Sequence, residues 1–223
     1  MILIRPSFKI EGIYGNDLLV MEAAGRTCYK SEPKGNPGKF ISDKIKSKHN
    51  TIIEHSSMTV RFIVDRGFTH ELVRHRMAVY SQESTRYCNY SGGVTFIIPP
   101  WVNIAEGDWT RSDIDELCDE EDEFYKSEDY IWLVSMINSE KYYSDLIDKG
   151  WSPQQARTVL PNSLKTEIVM TANFREWRLV FEQRALGTTG KPHPQMSEIM
   201  IPLLEEAKKR VPVIFDDLII KEK

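Results

Sequence analysis

Residues 57–64, SMTVRFIV, place Met58, Val60, Phe62 and Val64 at every second position. That period sends the four side chains to one face, which is the pattern of a strand with a buried side. Residues 165–171 alternate in the same way, and VTFII at 94–98 is a third strand, stopped by Pro99-Pro100. Between these segments the period changes. Phe68, Leu72, Val73 and Met77 predict a helix over 68–77, after a turn at Asp65-Arg66-Gly67. Ser152-Pro153 with Gln155 opens a second helix that must end before Pro161. Asn173 caps a third, with Glu176 three residues on and Gly187 beyond its end. Ile199, Met200, Leu203, Leu204 and Ala207 stripe a fourth over 195–210. Strands and helices mix without regular βαβ alternation, so the expected class is α+β, with a mixed or antiparallel sheet packed by helices.

No repeat and no Gly/Ser linker divides the chain, and 223 residues suffice for one well-buried domain over 1–223. The one shift in composition is SDIDELCDEEDEFYKSED at 112–129. Ser112 with Asp115 resembles a capping box, and Ile114, Leu117 and Cys118 follow at helical spacing. Its acids read as a solvated helix face and not as a metal site, since the glycine-centred spacing of a calcium loop is absent.

A formal charge of −4 argues against a general binder of nucleic acid or anionic membrane. No apolar run approaches a membrane span, and MILIRPSFKI lacks the apolar core of a signal peptide. Three cysteines, Cys28, Cys88 and Cys118, are widely spaced and form no CxxC pair. The expectation is a reduced, cytoplasmic protein with no disulfide framework and no metal.

Against that acidic background, RHRMAVYSQESTRY at 74–87 stands out. Arg74, His75, Arg76 and Arg86 repel one another unless carboxylates or a bound anion compensate them. The expected end of the preceding helix suits cations, which is the ordinary explanation of the cluster. The polar run Ser81–Arg86 reads as a loop or irregular strand, and its hydroxyls, amide and guanidinium suit phosphate and sugar oxygens. A second basic set follows at Arg157, Arg175, Arg178 and Arg184. Arg175 and Arg184 lie nine positions apart on one helix, so they face opposite ways and serve different tasks.

Arg74-His75-Arg76, the seven residues Met77–Glu83 and then Ser84 match RHR-x7-S. With this signature the chain resembles the flavin-dependent thymidylate synthase family. Other segments resemble that family in order: HNTIIEH at 49–55, ARTVLP at 156–161, Asn173-Phe174-Arg175 with Arg184, and His193-Pro194-Gln195. The resemblance implies an α+β homotetramer that makes dTMP from dUMP, with FAD, NADPH and methylenetetrahydrofolate. It implies flavin contacts at Thr51, Arg74, His75, Arg76, Gln82, Asn173, Phe174 and Arg175, with His49 on the flavin side. It implies a dUMP site of Glu71, Leu72, Val73, Arg74, Gln82, Glu83, Ser84, Thr85, Arg86, Arg157 and Arg184, the 82–86 loop coming from a neighbouring subunit. Arg184 would be the catalytic group, its guanidinium set against charge that develops on the uracil. Ser84 would bond the pyrimidine or its phosphate, and no cysteine would act as nucleophile.

This chain departs from the family's pattern in places. Glu71 and Gln82 stand where the family often has Gln and an acid, so the two read as a compensating exchange. Leu179 replaces a commonly polar residue, Gln183 a usual leucine, and GTTGKP at 187–192 lengthens the loop before His193. Two other classes compete with the enzyme. Tyr80, Tyr87 and Tyr90 beside arginines would suit base stacking in a single-strand binding module. A histidine-dependent hydrolase using His49, His55 or His75 lacks a recognisable partner spacing.

Overall fold

Nine-residue strands are the longest extended elements, and both have the predicted alternation. In β3 (Ser57–Asp65), Met58, Val60, Phe62 and Val64 are all essentially inaccessible. In β7 (Lys165–Asn173), Thr166, Ile168, Met170 and Ala172 form the buried face. They are the inner strands of a four-stranded sheet ordered β2-β3-β7-β4, where β2 is Ser7–Tyr14 and β4 is Ala78–Gln82. The computed structural model describes residues 1–116 and 126–220. These divide into two compact units, and β3 and β7 each give residues to both. With helices accompanying the sheets, the fold is α+β as expected.

The first unit comprises 1–7, 62–71 and 82–168. Its small sheet has β1 (Ile2–Ile4) at the centre, parallel to β5 (Thr95–Ile97) and antiparallel to β6 (Gly107–Asp108). The sheet is therefore mixed. Leu3, Phe96 and Ile98 pack with Leu133, Met136 and Tyr143 of the long helix α5 (Glu128–Asp148) to form its core. The chain's ammonium terminus is tied to Glu140 at 2.9 Å, which anchors β1 against that helix. The short α6 (Pro153–Ala156) follows, opened by the Ser152 and Gln155 capping box and ended well before Pro161.

Three expectations are corrected along the chain. No turn separates β3 from the next element: α3 (Arg66–Leu72) starts at once, because Asp65 Oδ1 accepts the Phe68 amide at 2.6 Å and caps it. The predicted 68–77 helix ends early, at Leu72. Val73 and Met77 are then 40% and 73% exposed instead of completing an apolar stripe. The acidic segment's cap lies two residues upstream of Ser112 and Asp115. Thr110 accepts the Asp113 amide at 3.2 Å, and Asp113 accepts from both the Thr110 amide and hydroxyl. Those bonds hold the Asp113 carboxyl below its ordinary range. Ser112 is instead inside α4 (Arg111–Glu116). Leu117 and Cys118 lie outside the described residues.

The second unit comprises 8–61, 72–81 and 169–223. Helices α1 (Leu18–Thr27) and α2 (Pro37–Lys46) are followed by a 3₁₀ turn at Asn50–His55. Gly25 of α1 is required there: a Cβ would lie 2.9 Å from Ile52 of the turn. Helix α7 (Phe174–Arg184) begins where β7 ends, with Asn173 Oδ1 accepting the Glu176 amide at 2.9 Å. Trp177, Phe181 and Phe174 of α7 meet Phe215 and α8 (Pro194–Arg210), whose apolar stripe is buried as predicted. Gly187 follows α7 with a φ of 69°, a left-handed conformation that glycine adopts without steric cost.

Candidate functional site

Leu72 ends α3 because Tyr80, one strand later, claims the chain. Its hydroxyl is 2.9 Å from the Leu72 carbonyl and 2.8 Å from the His75 carbonyl, while the His75 amide turns back to Leu72 at 3.1 Å. A tight, side-chain-held turn just past the end of α3 thus carries the Arg-His-Arg run. The three side chains part company at this turn. Arg74 and Arg76 are exposed, and neither forms an ion pair among the described residues. His75 is buried, at 4% exposure.

His75 sits against α7. Arg184, the last residue of that helix, donates from Nε to His75 Nε2 at 3.2 Å. On the other side of the ring, Nδ1 is 3.5 Å from Glu176 Oε1. Burial first, and then the Arg184 charge, hold the imidazole down at about 4, well under its ordinary range. The same burial pushes the Glu176 carboxyl up, against the opposing pull of Arg175. The Tyr80 hydroxyl is likewise pushed up by burial.

A cleft of about 480 Å³ opens in the same unit, lined by Asn50, Glu54, Met77, Asn173, Arg175 and Leu179 among others. Arg175 is paired there with Glu54, so its charge is compensated. Asn50 Oδ1 is buried without a hydrogen-bond partner among the described residues. Phe174 is fully buried in the aromatic core, against Phe215. Thr51 and His49 line a different cavity, of about 250 Å³, with Cys28, Tyr29, Lys44 and His55. Of the expected flavin residues, Asn173 and Arg175 thus line the first cleft and Thr51 and His49 the second.

In the first unit the 82–86 segment forms its own cluster. Arg157 donates to the buried Thr85 hydroxyl at 3.0 Å, and Arg86 donates to Gln154 at 2.7 Å. Both arginines are exposed and both are tethered by neutral partners, so their charges stay uncompensated. Ser84 Oγ accepts the Arg86 amide at 3.3 Å and its carbonyl takes the Tyr87 and Cys88 amides, which shapes the loop. Two neighbours turn inward instead. Gln82 donates to Thr69 at 3.1 Å and Thr166 at 3.3 Å, while Glu83 accepts from Lys165 at 2.9 Å and Tyr90 at 2.6 Å. Burial pulls the Lys165 ammonium down, but the Glu83 bond and charge outweigh it and hold it above its ordinary range. Leu72 is wholly buried, Val73 is exposed, and Glu71 on α3 is half-buried.

Of the basic residues, Arg178 is the structural one. It is 4% exposed and grips Asp217 through two bonds of 2.6 and 2.7 Å. The stacking tyrosines of the competing reading are mostly spent: Tyr80 and Tyr90 use their hydroxyls internally, and only Tyr87 is widely exposed, beneath Arg86. No group of three or more metal-ligating side chains is assembled among the described residues. No helix among the described residues is long and apolar enough to cross a membrane. Sequence reasoning passed over Glu176 as a site residue and read it as a cap position. Its contact with His75 links two segments about a hundred residues apart, which no local spacing reports.

By fold and site this is an α+β protein that presents unpaired guanidinium groups where anionic ligands can be held. Residues 14–213 match the Thy1 family model, described as thymidylate synthase complementing protein, and the chain belongs to that family. The chain is 32% identical to the flavin-dependent thymidylate synthase of Corynebacterium efficiens over 212 residues, covering 92% of this chain and 80% of the relative. It is 30% identical to the enzyme of the same name from Mycobacterium sp. strain JLS, over 89% of this chain and 78% of the relative. A crystal structure of the UMP/dUMP methylase PolB from Streptomyces cacaoi bound with 5-Br dUMP has the same fold. Its TM-score is 0.77 with 19% identity, covering 97% of this chain and 96% of that one.

Proposed function

We propose that this protein is a flavin-dependent thymidylate synthase. It methylates dUMP reductively to dTMP, taking the carbon from methylenetetrahydrofolate and the hydride from FAD reduced by NADPH. The observation that carries the reading is the pairing state of the arginines within a chain of this family. Arg74, Arg76, Arg86 and Arg157 lack carboxylate partners among the described residues, whereas Arg175 and Arg178 have them. Flavin pyrophosphate and nucleotide phosphate together bring roughly four negative charges, which those four groups match.

The residues present suit a bound flavin. Asn50 Oδ1 is a buried acceptor waiting for a donor, beside Asn173 and Arg175 in one cleft. Thr51, Arg74, His75, Arg76, Gln82, Asn173, Phe174 and Arg175, with His49, would hold FAD. When bound, that group supplies the hydride that reduces the transferred carbon to a methyl. The substrate's phosphate and sugar fall to Ser84, Thr85, Arg86 and Arg157, whose loop is already shaped by its own turn bonds. Glu71 to Arg74, Gln82 and Glu83 complete the substrate residues that the family resemblance implies, and Glu83 and Gln82 brace the loop from within. Arg184 stabilises negative charge on the uracil as the ring is activated, the kind of fixed donor that lowers a barrier most. The protein works as a cytoplasmic homotetramer of one catalytic domain spanning 1–223, with the 82–86 loop given to a neighbouring subunit.

The test is tritium release from dUMP labelled at C5, with FAD, NADPH and methylenetetrahydrofolate present, on purified protein. Yellow, flavin-loaded protein that releases tritium and forms dTMP is the expected result. Colourless protein that cannot be loaded with FAD, or loaded protein that releases none, refutes the reading.

A further inference from the structure

Arg184 carries the catalytic burden of a thymidylate synthase, yet arginine is a long side chain with much rotamer freedom to lose. A donor that must be aimed at developing charge is effective only if held in place beforehand. The His75 ring contacts the Arg184 guanidinium. A guanidinium Nε always bears hydrogen and has no acceptor lone pair, so the 3.2 Å contact with His75 Nε2 has one direction. His75 Nε2 accepts, and therefore carries no proton. The single proton of a neutral ring must then be on Nδ1, the nitrogen that faces Glu176 Oε1 at 3.5 Å.

Each part of this chain is itself fixed. Glu176 occupies the first turn of α7, where Asn173 caps its amide, and its side chain is only 8% exposed. Arg184 ends the same helix eight residues later, about two turns further on and on a similar face. His75 enters between them from the tight turn that Tyr80 clamps by two carbonyls. Protonation at Nε2 would set two cations against each other and break the contact, and burial resists it.

We propose that His75 is a positioning residue, held by Glu176 through Nδ1 and holding the Arg184 guanidinium through Nε2. The middle residue of the Arg-His-Arg run thus acts through Arg184, while the two exposed arginines beside it face ligands. The Arg184 contact sets the tautomer, and the Glu176 carboxylate faces the nitrogen that then bears the proton. The inference rests on the thymidylate synthase reading of Arg184, but its structural half does not.

Two measurements on the flavin-loaded protein test it. The first is the location of the imidazole proton by neutron diffraction or by ¹⁵N chemical shifts of the histidine ring. Hydrogen on Nδ1 and none on Nε2 is expected, whereas hydrogen on Nε2 overturns the proposal whatever reaction the protein performs. The second is a double-mutant cycle. On protein saturated with FAD, His75→Leu should lower kcat by about 10²-fold, the usual cost of a misplaced catalytic group, with KM for dUMP changed by no more than a few-fold. His75→Gln keeps an acceptor within reach of Arg184 and should recover about tenfold of that loss. Added to Arg184→Ala, His75→Leu should cost nothing further, because the residue it acts through is gone. Losses that multiply in the cycle overturn the proposal. Should His75→Leu fail to fold, the proton location and the His75→Gln cycle still decide it. A parent protein that releases no tritium defeats the functional reading and leaves the proton measurement to judge the contact alone.

Discussion

Changing His75 to Gln should remove an acid-sensitive part of the folding free energy, and the size follows from the ring's surroundings. An unfolded imidazole titrates near 6.5, whereas burial and the Arg184 charge hold His75 at about 4 in the folded chain. Well above pH 6.5 the ring is neutral in both states and contributes no pH dependence. As the pH falls through 6.5 the unfolded chain takes up a proton that the folded chain refuses, so stability declines. The decline stops below about pH 4, where both forms are protonated. With one pH unit worth about 1.4 kcal/mol, the parent loses about 2 kcal/mol between pH 7.5 and pH 5, and about 3 kcal/mol in all. Urea unfolding of parent and His75→Gln at matched protein and flavin concentration, at several pH values, gives the difference curve. Surface carboxylates titrate in both proteins and cancel. Glu176, raised by burial against the pull of Arg175, is also common to both and cancels to first order. Difference curves that stay flat to within about 0.5 kcal/mol across that window would refute the claim that the folded protein keeps this ring neutral.

Arg184→Ala should reduce dTMP formation by about 10²–10³-fold while flavin content, read from the visible absorbance of the same preparation, stays near the parent's. Asp217→Ala strips the buried Arg178 of two carboxylate bonds and should cost about 2–3 kcal/mol in urea unfolding, with little effect on turnover of the remaining folded protein. Asn173→Ala removes the α7 cap and should cost about 1 kcal/mol by the same measurement. The triple variant Cys28→Ala, Cys88→Ala, Cys118→Ala should keep most tritium release, since the proposed route uses no thiolate; turnover lost in a folded, flavin-loaded triple variant and restored by returning Cys88 would contradict it.

Local pattern determined much of this protein. The alternation at 58, 60, 62 and 64 survives as the buried face of β3, because a strand's period is a property of its own backbone. Asn173 caps α7 and the 199–207 stripe is buried, for the same reason: capping and helical facing are written within a few residues. The RHR-x7-S signature identified the family without any coordinate. Tertiary structure alone decided what those residues do. Nothing within 68–77 announces that the helix stops at Leu72; a hydroxyl from the next strand stops it. Nothing in the run Arg74-His75-Arg76 says that its middle member is buried on an arginine 109 positions away, or that Gln82 and Glu83 turn inward while Arg86 and Arg157 keep their charges free of carboxylates. Side-chain hydrogen bonds between distant segments depend on where the fold brings donors and acceptors, and that information is not periodic. Pairing is what separates a structural arginine such as Arg178 from a binding one such as Arg157, and only packing fixes it.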